Sequence, residues 1–133
     1  MAHQTGTAND VHDLLDRLRL FALGAGYTID YWGNRSAGSG RALTVHKGAC
    51  YATFLSSTNA GNSSDPGPYV GVYGHTGYSA GSTETQPEAS TVAWCNYLPG
   101  PFAAYDFFEG VINGRPYLHA IVETTAGTFK PFG

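Results

Sequence analysis

The chain has 133 residues, a net charge of −3, only seven Lys and Arg residues and no basic run, which excludes nucleic-acid binding through a phosphate-neutralising stripe. Charged residues make up 13% against 14% aromatics and 18 glycines, a balance that argues against disorder and suits a Tyr- and Gly-rich β protein with long polar loops. A chain of this length buries roughly two-thirds of its unfolded surface, so one domain over 1–133 needs no disulfide or metal staple.

The N-terminal stretch "MAHQTGTAND" has neither a basic region nor the apolar run of a secretory signal, so synthesis and folding in a cytoplasm are expected. No apolar run approaches the roughly 20 residues that cross a bilayer, and no membrane partner is expected. Cys50 and Cys95 then read as buried small hydrophobes carrying free thiols. Asn34-Arg35-Ser36 and Asn62-Ser63-Ser64 fit the glycosylation pattern, which carries little weight without a secretory route.

Residues 10–23, "DVHDLLDRLRLFAL", form the one predicted helix. Val11, Leu14, Leu15, Leu18 and Phe21 recur at helical spacing and draw a single apolar stripe. Asp10 or Asn9 caps its start, Asp13 adds negative charge to the first turn, and Arg17 and Arg19 lie toward its C-terminal end. Gly24 and Gly26 supply the left-handed stop. The stripe stabilises only if another layer covers it, and a sheet is the only large partner this chain can make.

Strands are predicted from there on. "YTIDYW" (27–32) is the first, followed by a Gly/Ser/Asn turn. "RALTVHKGACYATFLSS" (41–57) reads as two strands, or as one long strand kinked at Gly48. A polar loop over 58–68 leads to "YVGVYGH" (69–75), which sets Tyr69, Gly71 and Tyr73 against Val70, Val72 and Gly74. A second long loop covers 76–90, "TVAWCNYL" (91–98) is an apolar strand, and Pro99-Gly100-Pro101 ends it. "FAAYDFFEGVI" and "RPYLHAIVETT" flank Asn113-Gly114, whose tolerance of positive φ suits a type I′ hairpin. In the second arm Leu118, Ala120 and Val122 face one way, and Tyr117, His119, Ile121 and Glu123 the other. Pro116 fits a strand start or an edge. Ala126-Gly127 offers one more turn before "TFKPFG". The expected fold is α+β: a mostly antiparallel β-sheet or sandwich with one N-terminal amphipathic helix packed on it.

The chemistry-bearing residues do not assemble into a catalytic pattern. His3, His12, His46, His75 and His119 do not pair at i, i+2 or i, i+4 with one another, there is no Cys-x-x-Cys, and no metal or other cofactor is expected. His46 and Cys50 share a strand face but stand about 13 Å apart, too far for proton transfer. "SAGSG" lacks the strand-turn-helix setting of a nucleophile elbow. Asp106 and Glu109 fall on opposite faces of a regular strand and read as strand-edge charges. No Gly-rich loop precedes a helix, so nucleotide binding has no support, and a small-molecule ligand is not expected. No catalytic residue is assigned, and the chain is expected not to be an enzyme.

What remains is aromatic surface. The tyrosines, tryptophans and phenylalanines exceed what a modest core requires, and Tyr and Trp dominate interface energetics. Trp32, Tyr69, Tyr73, Tyr78, Phe129 and Phe132 are the candidate interface residues. The loops 58–68 and 76–90 and the terminal segments are the candidate contact regions. A terminal edge strand is also able to extend a neighbour's sheet.

Three stretches carry a resemblance. "TGTANDVHDLLDRLRLFALGAGYT", "YVGVYGHTGYS" and "YLPGPFAAYDFFEGVINGRPYLHAIVETTAGTFKPFG" are similar to the corresponding parts of a group of small virion structural proteins from tailed bacteriophages. In that group a Gly-Thr-Ala segment precedes a short "DLL" helix, and a later Asn-Gly hairpin leads to a Phe-Gly pair; members often continue past that pair, where this chain has Gly133. The resemblance implies a non-enzymatic tail or baseplate component that assembles in the bacterial host cytoplasm with copies of itself and with other virion proteins. Two readings stand against it. One is a carbohydrate- or receptor-binding β module of a phage tail that stacks sugars on Trp32 or Tyr78. The other is a hydrolase, which would need His, Asp or Glu gathered in a cleft.

Overall fold

A computed structural model describes residues 2–36, 39–57, 68–96, 98–125 and 127–133. The elements run β1 (Ala2–Ala8), α1 (Val11–Gly24), β2 (Thr28–Asn34), β3 (Arg41–Lys47), β4 (Cys50–Ser57), β5 (Tyr69–His75), β6 (Ala93–Asn96), β7 (Phe102–Ile112), β8 (Arg115–Thr125) and β9 (Thr128–Phe132). They form two antiparallel sheets, one ordered β1-β7-β8-β9 and the other the meander β2-β3-β4-β5-β6. The helix packs on both, and the fold is α+β as expected.

The helix forms where its stripe places it. Val11, Leu14, Leu15, Leu18 and Phe21 are all buried, joined by Ala22. The Asp10 side chain accepts from the Asp13 N–H at 2.8 Å, and the Asp13 carboxylate accepts from the Asn9 N–H at 2.9 Å. Two N–H groups at the helix start are thereby satisfied. Gly26, at φ 94, makes the left-handed stop, whereas Gly24 is still helical. Arg17 and Arg19 do not serve the last turn; they pair with Asp13 and Asp16, one turn back.

Residues 41–57 are two strands, β3 and β4, reversed at Gly48 with φ 61. At the β7–β8 turn Asn113 and Gly114 both have positive φ, 52 and 75, as a type I′ hairpin requires. Pro116 is the second residue of β8, where its missing N–H is tolerated. Leu118, Ala120 and Val122 are buried and their alternating neighbours half-buried, as the period-2 pattern predicts.

Two strands were not among the predicted elements. β1 pairs with β7 from Ala2↔Glu109 to Ala8↔Phe102, and β9 pairs with β8. Neither has an alternating apolar pattern, because both are edges with little buried face. Their presence changes the reading of Asp106 and Glu109. β7 is an interior strand, so neither residue is an edge charge. Asp106 meets His3 at 2.9 Å on the outer face, and Glu109, buried on the inner face, pairs with Lys47 at 3.2 Å.

One core joins the helix to both sheets. Phe21 of α1 lies 5.7 Å from Phe107 of β7, measured between ring centroids, and Phe54 of β4 meets Phe132 of β9 edge-on at 6.3 Å. Each fully buried side chain of this size contributes about 1.5–3 kcal/mol. A second, smaller cluster of Ala42, Leu55 and Tyr73 lies on the opposite face of the five-stranded sheet. Cys50 and Cys95 are free and half-buried rather than fully buried. Burial pushes the Cys95 thiol up. Among the described residues no helix is long and apolar enough to cross a membrane.

Candidate functional site

The six predicted interface residues divide. Phe129 on β9 is 60% exposed and Tyr78 38% exposed. Trp32 is half-buried, with the Arg19 guanidinium 5.5 Å above its ring. Tyr69 is half-buried and meets Trp94 edge-on, with ring centroids 4.9 Å apart. Burial alone would raise Tyr69, but hydrogen bonds with Ser57 and Arg35 outweigh it and hold the phenol below its ordinary value. Tyr73 and Phe132 are core residues, 2% and 6% exposed, so this chain itself covers the surface they were expected to offer.

The reason for Tyr73 lies in the loop after β5. Read from sequence as a contact loop, it folds back over the outer face of the five-stranded sheet. The Tyr73 hydroxyl donates to the Thr83 carbonyl. Thr83 and Ser36 exchange hydrogen bonds, Ser36 N–H to Thr83 Oγ1 at 2.9 Å and Thr83 N–H to Ser36 Oγ at 2.8 Å. Arg35 Nε donates to Glu84 Oε1 at 2.8 Å. Burial opposes the Glu84 charge, yet hydrogen bonds from Thr83, Arg35 and Ser36 prevail and hold the carboxyl below its ordinary range. Buried Gln86 donates to the Ser79 and Ser82 carbonyls and accepts from the Ser79 N–H. A polar loop satisfied this fully is part of the fold. Of the other predicted contact loop, 58–68, residues 58–67 lie outside the described residues, as do Tyr97 and Ala126.

His3, His12, His46 and His75 are each held in a separate place. His3 meets Asp106, and His46 meets Asp30 at 2.7 Å while stacking on Tyr51. His12 meets the hydroxyl of Ser56 at 2.7 Å, but Ser56 is fully buried and offers no approach to a substrate. His75 is buried between the Gly77 carbonyl and Thr53 Oγ1, at 2.7 and 2.9 Å, and burial lowers its pKa against the pull of Gly77 and Asp30. The described residues contain no group of three His, Cys, Asp or Glu placed to hold a metal ion.

Three features were not legible in advance. The first is β1, an edge strand of which His3, Gln4, Thr5 and Thr7 are exposed. The second is a set of exposed apolar side chains: Val111 and Ile112 on the β7–β8 hairpin, 61% and 63% exposed, and Trp94 on edge strand β6. The position of Val111 and Ile112 just before Asn113-Gly114, beyond the reach of the sandwich, was the available signal. Trp94 had none, because its place over Gly71 follows from pairing across strands. The third is a cleft of about 750 Å³ between the sheets, lined among others by Tyr27, Cys50, Ala52, Val72 and Leu118.

No protein-family model matches this chain, and neither a curated protein nor a solved structure matches it.

Proposed function

We propose that this chain is a non-enzymatic structural subunit of a bacteriophage virion, a tail or baseplate component that works by protein–protein assembly. In this reading it associates in the bacterial host cytoplasm with copies of itself and with other virion proteins. The observation that carries it is the state of β1. This seven-residue edge, "AHQTGTA", holds no Lys, Arg, Asp, Glu or Pro, and most of its side chains are exposed. Edge strands of monomers are ordinarily blunted by charge, proline or a covering segment, because a bare edge recruits another strand. Here a bulge between Gly6 and Ala8 interrupts only the end next to the helix. Such an edge suits a subunit that extends its sheet into a neighbour. The exposed Phe129, Val111 and Ile112 add apolar contact area of the kind interfaces bury. A reconstruction of the parent particle tests this: repeated copies with β1 paired to a neighbouring chain support the reading, and a particle without the chain rejects it.

One observation favours a second reading, a carbohydrate-binding module. Trp94 lies over Gly71 with 46% of its surface free, and Tyr69 stands perpendicular to it beside Arg35. A flat aromatic face next to polar groups is able to stack a sugar ring. That reading moves the platform from Trp32 and Tyr78 to Trp94. Calorimetric titration with bacterial surface oligosaccharides separates the two, since a stacking site loses its heat of binding in Trp94→Ala and a pure assembly subunit gives none.

A further inference from the structure

Among the described residues the two sheets end in the edge strands β1, β9, β2 and β6, and these differ in what they offer a partner. β9 carries Lys130 and Pro131 and packs against β5 and β6 of the other sheet. A proline in an edge strand turns its missing N–H outward, so this edge lacks a donor that a pairing strand would need. β2 carries Asp30 and is bulged between Ile29 and Tyr31. β6 is four residues long. Charge, proline, bulging and shortness are the means by which edges are kept from pairing. β1 is seven residues long, has no Lys, Arg, Asp, Glu or Pro, and is regular from Ala2 to Gly6.

The edge that best matches β1 is therefore the β1 of a second copy. Identical edges pair about a two-fold axis, which closes the contact at two chains, whereas a contact from β1 to β9 would leave edges free to grow. An axis perpendicular to the sheet runs the two strands antiparallel and doubles the four-stranded sheet. Directly opposed residues in such a pair share a face. In β1, Gln4 lies on the face of buried Phe107, and His3 and Thr5 lie on that of Asp106. Faces match across the contact only when the axis passes through a residue rather than between two. Overlap of the regular part centres on Gln4, and overlap of the whole strand centres on Thr5. On either axis the residue that meets itself is uncharged, and His3 faces a threonine. A charged residue at the centre would meet its own like charge, which destabilises a cross-strand pair.

We propose that β1 is a homodimer edge: a second copy of this chain pairs with it antiparallel, about a two-fold axis at Gln4 or Thr5. This rests on the assembly reading given above and names its partner and symmetry.

The test uses the full chain with Cys50→Ser and Cys95→Ser and one new cysteine on the exposed strand. Opposed Cα atoms in an antiparallel pair stand about 4.5–5.5 Å apart, within disulfide range. Oxidation is expected to convert Gln4→Cys or Thr5→Cys to a covalent dimer, while Phe129→Cys on β9 remains a monomer. In sedimentation velocity the wild type should level off at the mass of two chains, and Thr5→Lys should abolish that plateau. The wild-type plateau decides the matter should the cysteine-free background fail to fold. No cross-link at either β1 position, or β1 cysteines that cross-link only in mixtures with Phe129→Cys, would overturn the proposal. So would a wild type that stays monomeric or a mass that climbs past the dimer. A climbing mass overturns the two-fold closure and leaves assembly through β1 standing, whereas a particle without the chain removes the assembly reading whatever the cross-links show.

Discussion

The ring of Trp94 occupies the space that a side chain on Gly71 would need, so a glycine of β5 and a tryptophan of the edge strand β6 form one packed unit. Gly71→Ala forces that ring off the sheet. A loss of about 1–3 kcal/mol, typical of an overpacked site, is expected in urea unfolding. In a Trp32→Phe background, acrylamide should quench Trp94 more strongly once Gly71 is replaced. Unchanged stability and quenching would show that the ring rests elsewhere.

The shared core sets a sharper contrast. Phe107 is fully buried against Phe21 and Tyr105, whereas Leu20, on the same helix as Phe21, is 50% exposed. Phe107→Ala is expected to cost about 3–5 kcal/mol, the transfer free energy of the ring plus the cavity left behind. Leu20→Ala should stay within about 0.5 kcal/mol. Equilibrium denaturation of the two variants measures both.

Acid should weaken the fold in two steps. Buried His75 resists protonation, so its folded pKa lies below its unfolded value of about 6.5. The unfolded chain therefore binds the proton first, and the stability His75 contributes is complete above that pH and declines as the pH falls below it. Glu84 is also depressed, and its contribution persists above its unfolded value of about 4.3 and is lost as the pH falls toward its folded one. A thermal-unfolding series should show Tm falling first below about pH 6.5, and the first decline should vanish in His75→Gln. A Tm that rises on acidification through that window would contradict the assignment.

Gln86 fastens the loop that covers Tyr73. Gln86→Ala leaves the Ser79 N–H and the Ser79 and Ser82 carbonyls without their partner, at a cost of about 1–3 kcal/mol for groups that remain buried. Hydrogen exchange should quicken over 76–90 while the β7–β8 amides keep their protection. Uniform protection in the variant would mean that the loop is held by other contacts.

What the sequence made legible was local. The 3.6-residue stripe from Val11 to Phe21 located α1, Asn113-Gly114 located the central hairpin, and the alternation Leu118, Ala120, Val122 assigned the buried face of β8. What escaped it was non-local. β1 and β9 are strands only because β7 and β8 lie beside them, and nothing in "AHQTGTA" or "TFKPF" alternates. Tyr73 resembled a surface residue because its cover, Thr83, comes ten residues later in a polar segment. The cleft depends on the distance between two layers, to which Ala52 and Ala93 contribute only by being small.

Sedimentation velocity across a wide range of protein concentration, on the wild type and on Thr5→Lys with Thr7→Lys, bears most directly on assembly through β1. Both threonines are exposed, and lysines on an edge strand oppose pairing with another chain. The wild type should associate as its concentration rises, and the double variant should remain a monomer with unchanged Tm. A wild type that stays monomeric at the highest attainable concentration, or a variant that associates equally well, would contradict assembly through this edge.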